Sequence, residues 1–168
     1  PLAKVGGLGV VDTGLSRTLI EKGHNVDIFM PMHQCMKYKL IKNLKAVYNE
    51  LWVQDNHRWY PEQVFHGHVD GLSCYFFTCG DRFQRDQIYG YDDDLFRYAH
   101  FCRAAMEYMY VTNRVPDILH GHDWTVGLAP VLLYEDYAHR GMGDNRAAFT
   151  NHNNEHQGKC WYGEALLN

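Results

Sequence analysis

Apolar and polar residues follow two rhythms along this chain, and the rhythm switches several times. Over residues 10–22, Val11, Leu15, Thr18 and Leu19 recur at helical spacing, and Gly23 stands where a helix would stop. "VDIFMP" (26–31) is a short apolar run closed by Pro31, as in a buried strand. "YPEQVFHGHVDGLSCYFF" (60–77) predicts a hairpin, with Val64–Val69 and Leu72–Phe77 flanking an Asp70-Gly71 turn. "LFRYAHFCRAAMEYMYVTN" (95–113) returns to the helical period through Phe101, Ala105 and Met109. "PDILHGHDW" (116–124) predicts a short strand that ends in a polar cluster. A helix follows over 125–141, opened by Thr125 and closed by Gly141, with Pro130 implying a bend or a delayed start. "AAFTNHN" (147–153) repeats the strand-then-polar-cluster pattern.

This alternation of strands and helices predicts an α/β domain with a mainly parallel sheet. In such sheets ligands gather at the carboxyl ends of the strands. The clusters at 120–124 and 151–157 both fall there.

Composition narrows the class. With 168 residues, the chain has the size of one domain and can bury a core. Its apolar fraction of 46% is that of a globular protein. No apolar run approaches the ~20 residues that a membrane span needs. A formal net charge of −4 without a basic cluster argues against a nucleic-acid surface. The five cysteines show no C-x-x-C pair and no regular spacing, so no disulfide framework is expected and a reducing compartment fits. Cys74 and Cys79 read as small packed residues. Aromatic residues reach 14%, and those outside the core are suited to stacking on sugar rings.

"KVGGLG" (4–9) sits just ahead of the first predicted helix. Gly6 and Gly7 allow positive φ and close approach of a ligand to the backbone, the helix start offers free N–H groups, and Lys4 adds a cation. These features suit a phosphate cradle. They equally suit a plain loop-to-helix turn, because the string is neither a Walker motif nor the dinucleotide fingerprint.

"KVGGLG" resembles the K-x-G-G-L motif of the starch and bacterial glycogen synthases. The likeness continues in order through "GHNVDIFMP", "DGLSCYFF", "IYGYDDDLFRYAHFCRAAME", "PDILHGHDW" and "AAFTNHNNEHQG". "MPMHQCMKY" is most similar to the soluble plant types III and IV. The resemblance implies that residues 1–168 form the N-terminal, acceptor-side Rossmann-like half of a GT-B glycosyltransferase. A first strand ahead of Pro1 and a C-terminal donor-side half would then be missing, and the piece alone would be inactive. It implies transfer of glucose from ADP-glucose to the non-reducing end of an α-1,4-glucan with retention, without a cofactor or a bound metal. The setting would be a plastid, or the cytoplasm for a bacterial enzyme.

By the same resemblance, Lys4 meets the donor phosphates, with Gly6 and Gly7 letting the backbone close on them. His152 sits beside the transferred glucose, Asn153 and Gln157 line that pocket, and His122 and Asp123 form or organise its wall. Tyr91 and Asp93 border the cleft. Two departures bear on activity. The acidic residue of the family's G-G-L-G-D-V-V arrives two places late, as Asp12, a displacement of about 200° on a helix. Asn151 and Asn154 also take usually apolar places, and burial of Asn151 without partners would cost roughly 1–3 kcal/mol.

Other readings of the same residues remain. His120, His122 and Asp123, or His152 with His156, are metal-ligand types, but the further spacing of a metallohydrolase is absent. His122 could equally be a hydrogen-bonded structural histidine. Asp92, Asp93 and Asp94 are most simply the acidic N-terminus of the 95–113 helix. A glucan-binding fragment without turnover is the alternative to a synthase, and a nucleotide-dependent oxidoreductase or metal hydrolase ranks behind both.

Overall fold

The computed structural model describes Leu2 and residues 8–159, without the side chains of Leu8 and Val10. The chain divides into two compact units, Pro1–Glu50 with Glu62–Gly90, and Leu51–Pro61 with Tyr91–Asn168.

In the first unit, α1 (Leu8–Glu21) leads into β1 (Asp27–Pro31). The helix closes as its sequence predicts, with Gly23 N–H donating to Ile20 O and His24 N–H to Leu19 O. Its rotation differs from expectation. Ser16 is buried and Asp12, Leu15 and Leu19 are half-buried, whereas Val11 and Thr18 face solvent. Leu15 and Leu19 belong to both possible faces, so the sparse apolar residues of α1 could not choose between them. The displaced Asp12 therefore lies on the inner row.

β1 belongs to a four-stranded sheet of order β1-β4-β3-β2, where β2 is Lys42–Asp55, β3 Arg58–Val69 and β4 Leu72–Phe77. The predicted hairpin forms in register, Val69 opposite Leu72 and Val64 opposite Phe77. Asp70 and Gly71 both take positive φ (51° and 83°), as its two-residue turn requires. β1 and β4 run parallel and β3 and β4 antiparallel, so this sheet is mixed. No periodicity announces β2. Its outer half is exposed along both faces and carries no alternation, which sets in only at Leu51, Val53 and Asp55. Leu2, Met36, Val69, Leu72, Cys74 and Phe76 form the core on one side of the sheet.

Beyond β4 the buried Glu62 carboxylate fixes the chain, accepting from the Thr78 hydroxyl at 3.0 Å and Gly80 N–H at 2.7 Å. The described cysteines are free thiols, and Cys74, Cys79 and Cys102 are buried as small packed residues. Burial pushes the Cys74 thiol up to about 11 and the Cys102 thiol to about 12.

The second unit is built on α2 (Asp94–Val111), whose predicted stripe is core: Phe101, Cys102, Ala105 and Met109 are all buried. Leu51 and Val53 are buried in this unit too, and the Asp55 carboxylate meets the buried His100 Nδ1 at 2.8 Å. β5 (Ile118–His122) and β6 (Arg146–Thr150) pair parallel. Between them run a 3-10 turn (Trp124–Val126), α3 (Leu128–Leu132) and a wider-wound continuation (Leu133–Met142). Pro130 thus sits in the first turn of α3, where its missing N–H costs nothing, and the delayed start is the outcome. Gly141 takes a φ of 106° at the far end.

Candidate active site

The parallel register of β5 and β6 sets His120 opposite Ala148 and His122 opposite Thr150. Both strands therefore deliver their polar clusters at the same carboxyl-terminal edge. Three imidazoles meet there. The His122 Nδ1 and His152 Nε2 atoms are 2.9 Å apart, and their rings stack at 10° with centroids 5.2 Å apart. The His120 ring lies 4.1 Å from that of His122, and its Nε2 is 2.8 Å from the Thr150 hydroxyl.

Asp123 holds this arrangement through its main chain and its carboxylate. Its N–H donates to Thr150 O at 2.9 Å, and its Oδ1 accepts the His152 N–H at 2.6 Å. To do both it adopts φ 62° and ψ 174°, a region that only glycine occupies freely.

The electrostatics favour a neutral His122 ring. Partial burial, reinforced by His120 and His152, pushes His122 down to about 4, against an opposing pull from Asp123. At neutral pH the His122 ring of the His122–His152 contact is therefore uncharged. A neutral His122 ring offers a hydrogen-bonding nitrogen to hydroxyls without adding its own cation to the edge of the sheet.

The strand β6 hands over to a loop that bonds mainly to itself. Asn153 N–H donates to Asn151 Oδ1 at 3.1 Å, Glu155 N–H to Asn153 Oδ1 at 2.9 Å, and Asn151 Nδ2 to Asn154 Oδ1 at 3.0 Å. The Gln157 side-chain amide donates to Asn154 O. Asn151 is exposed and bonded, so the burial cost expected for it does not arise. Asn153 and Gln157 are exposed on the same loop as His152.

Tyr91 and Asp93 lie on the turn that opens α2, where Asp94 N–H donates to Tyr91 O and Arg97 N–H to Asp93 O. Asp94 also pairs with the fully buried Arg97 guanidinium at 2.6 Å, so the acidic run does serve the helix start. The Arg97 guanidinium lies over the rings of both Tyr91 and Tyr98, 5.2 and 4.8 Å from their centroids. Lys4, Gly6 and Gly7 lie outside the described residues. A second polar recess is lined by Trp59, Glu107, Tyr137 and Arg140, whose polar groups are engaged locally: the Tyr137 hydroxyl donates to Glu107 at 2.6 Å, and Arg140 sits 4.0 Å from the Tyr110 ring centre.

A parallel α/β edge thus gathers imidazoles, side-chain amides and one anchored carboxylate at the carboxyl ends of β5 and β6. The chain belongs to the family described as the starch synthase catalytic domain, whose model matches residues 1–168. It is 45% identical over 159 residues to glycogen synthase 1 of Nitrosococcus oceani, covering 94% of this chain and 33% of that protein. It is 44% identical over 163 residues to the glycogen synthase of Protochlamydia amoebophila, covering 95% and 33%. Among solved structures, the catalytic domain of starch synthase IV from Arabidopsis thaliana, bound to ADP and acarbose, superimposes with a TM-score of 0.90 at 38% identity, covering 94% of this chain and 33% of that one. The chain thus spans about a third of the length of the relatives it matches, and the α/β fold is that of a GT-B catalytic domain.

Proposed function

We propose that this chain is the acceptor-side part of a glucosyltransferase that moves glucose from ADP-glucose to the non-reducing end of an α-1,4-glucan with retention, using no metal or other cofactor. The observation that carries this reading is the His122–His152 pair at the carboxyl edge of β5 and β6, held by Asp123, in a chain of the starch synthase family. The ADP and acarbose bound by the Arabidopsis relative support a nucleotide and a glucan as ligands.

In this reading His152 lies beside the transferred glucose, with His122, Asp123, Asn153 and Gln157 binding or ordering its hydroxyls. Positive charge gathers on the sugar ring as the glycosidic bond breaks. An imidazolium at His122 would oppose that charge, whereas its depressed titration keeps this ring neutral. Negative charge gathers on the departing diphosphate and needs cations and backbone donors. Lys4, Gly6 and Gly7 are assigned to that end, together with groups of a donor-side domain outside this chain. Tyr91 and Asp93 are assigned to the rim of the cleft.

The bacterial relatives support a glycogen-type enzyme of the cytoplasm, and the plant structural match supports a plastid starch synthase. Incorporation of labelled glucose from ADP-glucose into a glycogen primer, by a full-length protein carrying this segment, tests the reaction. His152→Ala is expected to abolish incorporation, and Lys4→Ala to weaken donor binding. Wild-type turnover in both variants refutes the assignment. The displaced Asp12 favours the second reading, glucan binding without turnover, which predicts that the unaltered protein retains the primer and transfers nothing.

A further inference from the structure

Asp123 and Trp124 are consecutive, and they hold opposite ends of the His152 loop. Asp123 grips the start through the His152 N–H at 2.6 Å. Trp124 meets the end: a Cβ added to Gly158 would come within 2.3–2.8 Å of its indole carbons, so the Gly158 backbone packs directly against the ring. Gly158 also has a φ of 57°. The other side of this contact is rigid. The Trp124 ring meets the Tyr98 ring edge-on, with centroids 5.4 Å apart at 75°. Tyr98 is buried under the Arg97 guanidinium, which Asp94 fixes in turn.

Between these attachments the loop bonds largely within itself, through Asn151, Asn153, Asn154 and Gln157. A segment of that kind moves as one piece. Held at both ends it has one position, and released at one end it pivots about the other. The pivot would swing the His152 ring away from His122.

We propose that Trp124 is a positioning residue, whose indole, seated between Tyr98 and Gly158, locks the His152 loop and thereby sets the His122–His152 pair. Its importance for turnover rests on the glucosyl-transfer reading; its effect on the two imidazoles does not. The same contact accounts for the glycine that closes "HNNEHQG", since any side chain there would collide with the ring.

Two variants approach the contact from opposite sides. Trp124→Ala removes the indole, and Gly158→Ala pushes the exposed end of the loop off it without touching the core. Trp124→Phe keeps an aromatic ring. Imidazole nitrogen–proton correlation spectra of the full-length protein report the His122–His152 hydrogen bond directly. Trp124→Ala and Gly158→Ala are both expected to lose its signature, with Trp124→Phe retaining it in part. Turnover should fall about 100-fold, the scale of a misplaced reacting group, with KM for ADP-glucose unchanged. An unaltered imidazole spectrum in Gly158→Ala overturns the proposal. So does a Trp124→Ala protein that keeps both spectrum and turnover. If the unaltered protein transfers no glucose, the reaction assignment fails, and the spectra still decide the role of Trp124.

Discussion

Asp123 occupies a conformation that penalises every residue except glycine, and that penalty can be measured. At φ 62° and ψ 174° its backbone strain is about 1–3 kcal/mol. Replacing it by Ala or by Gly removes the same carboxylate, and with it the charge-assisted bond from His152 N–H, worth roughly 1.5–3 kcal/mol and toward the lower end at this exposed edge. The two variants differ only in the backbone. Gly relieves the strain, while its freer unfolded chain costs about 0.5–1 kcal/mol relative to Ala. With strain near the middle of its range, Asp123→Gly should be more stable than Asp123→Ala by about 1 kcal/mol, the reverse of the order at an ordinary position. It should also lie close to the unaltered protein in stability, because relief of strain offsets most of the lost bond. Urea unfolding of all three proteins, compared at their midpoints with a common slope, reads the difference. An Asp123→Ala protein more stable than Asp123→Gly by about 0.5–1 kcal/mol, the ordinary order, would show that the site stores no strain. Both variants should nonetheless lose turnover, since neither can hold the His152 main chain.

Stability should rise with pH between about 4 and 6.5 on account of His122, whose folded value lies below its ordinary 6.5. In that window the unfolded chain binds a proton that the folded imidazole refuses, so stability is complete above the window and lost as pH falls through it. Urea titrations across that range should show a shallower slope for His122→Gln, and an unchanged slope rules out His122 as the source. Glu62→Ala should cost about 3 kcal/mol, because it strands the Gly80 N–H and the Thr78 hydroxyl beside a buried gap; thermal unfolding reads this loss, and Glu62→Gln should recover part of it. Arg97→Met should cost about 3–5 kcal/mol by leaving Asp94 without its buried partner. Arg97→Lys should recover only part, since an ammonium cannot lie flat between Tyr91 and Tyr98; full stability in Arg97→Lys would contradict the role assigned to the planar group.

Much of the fold and site was legible in the sequence because short-range patterns carried it. The Asp70-Gly71 hairpin, the stripe on α2 and the polar ends of β5 and β6 each follow from residues within a few places of one another. The pairing of His122 with His152 needed one further rule, that parallel α/β strands present their carboxyl ends together. β2 escaped because an exposed strand has no buried face to impose alternation. The rotation of α1 escaped because Leu15 and Leu19 satisfy two faces equally. The role of Trp124 is invisible within its own motif, since its partners Tyr98 and Gly158 stand 26 and 34 residues away on either side. Propensity and periodicity carry no information at that range, although a glycine that ends a run of polar residues is a hint of close approach.

The site thereby separates two tasks that sequence motifs merge. In "HGHDW" the histidines supply hydrogen-bonding groups at the strand edge, while Asp123 and Trp124 supply placement. A strained residue persists only where its surroundings over-determine it. Here the surroundings are the β5–β6 ladder on one side and the buried Arg97–Tyr98 stack of α2 on the other. Stability in the α2 layer is thus tied directly to geometry at His152. Substitutions at Arg97, well removed along the chain from His152, should therefore alter turnover more than donor affinity, as a misplaced group does and a lost binding contact does not.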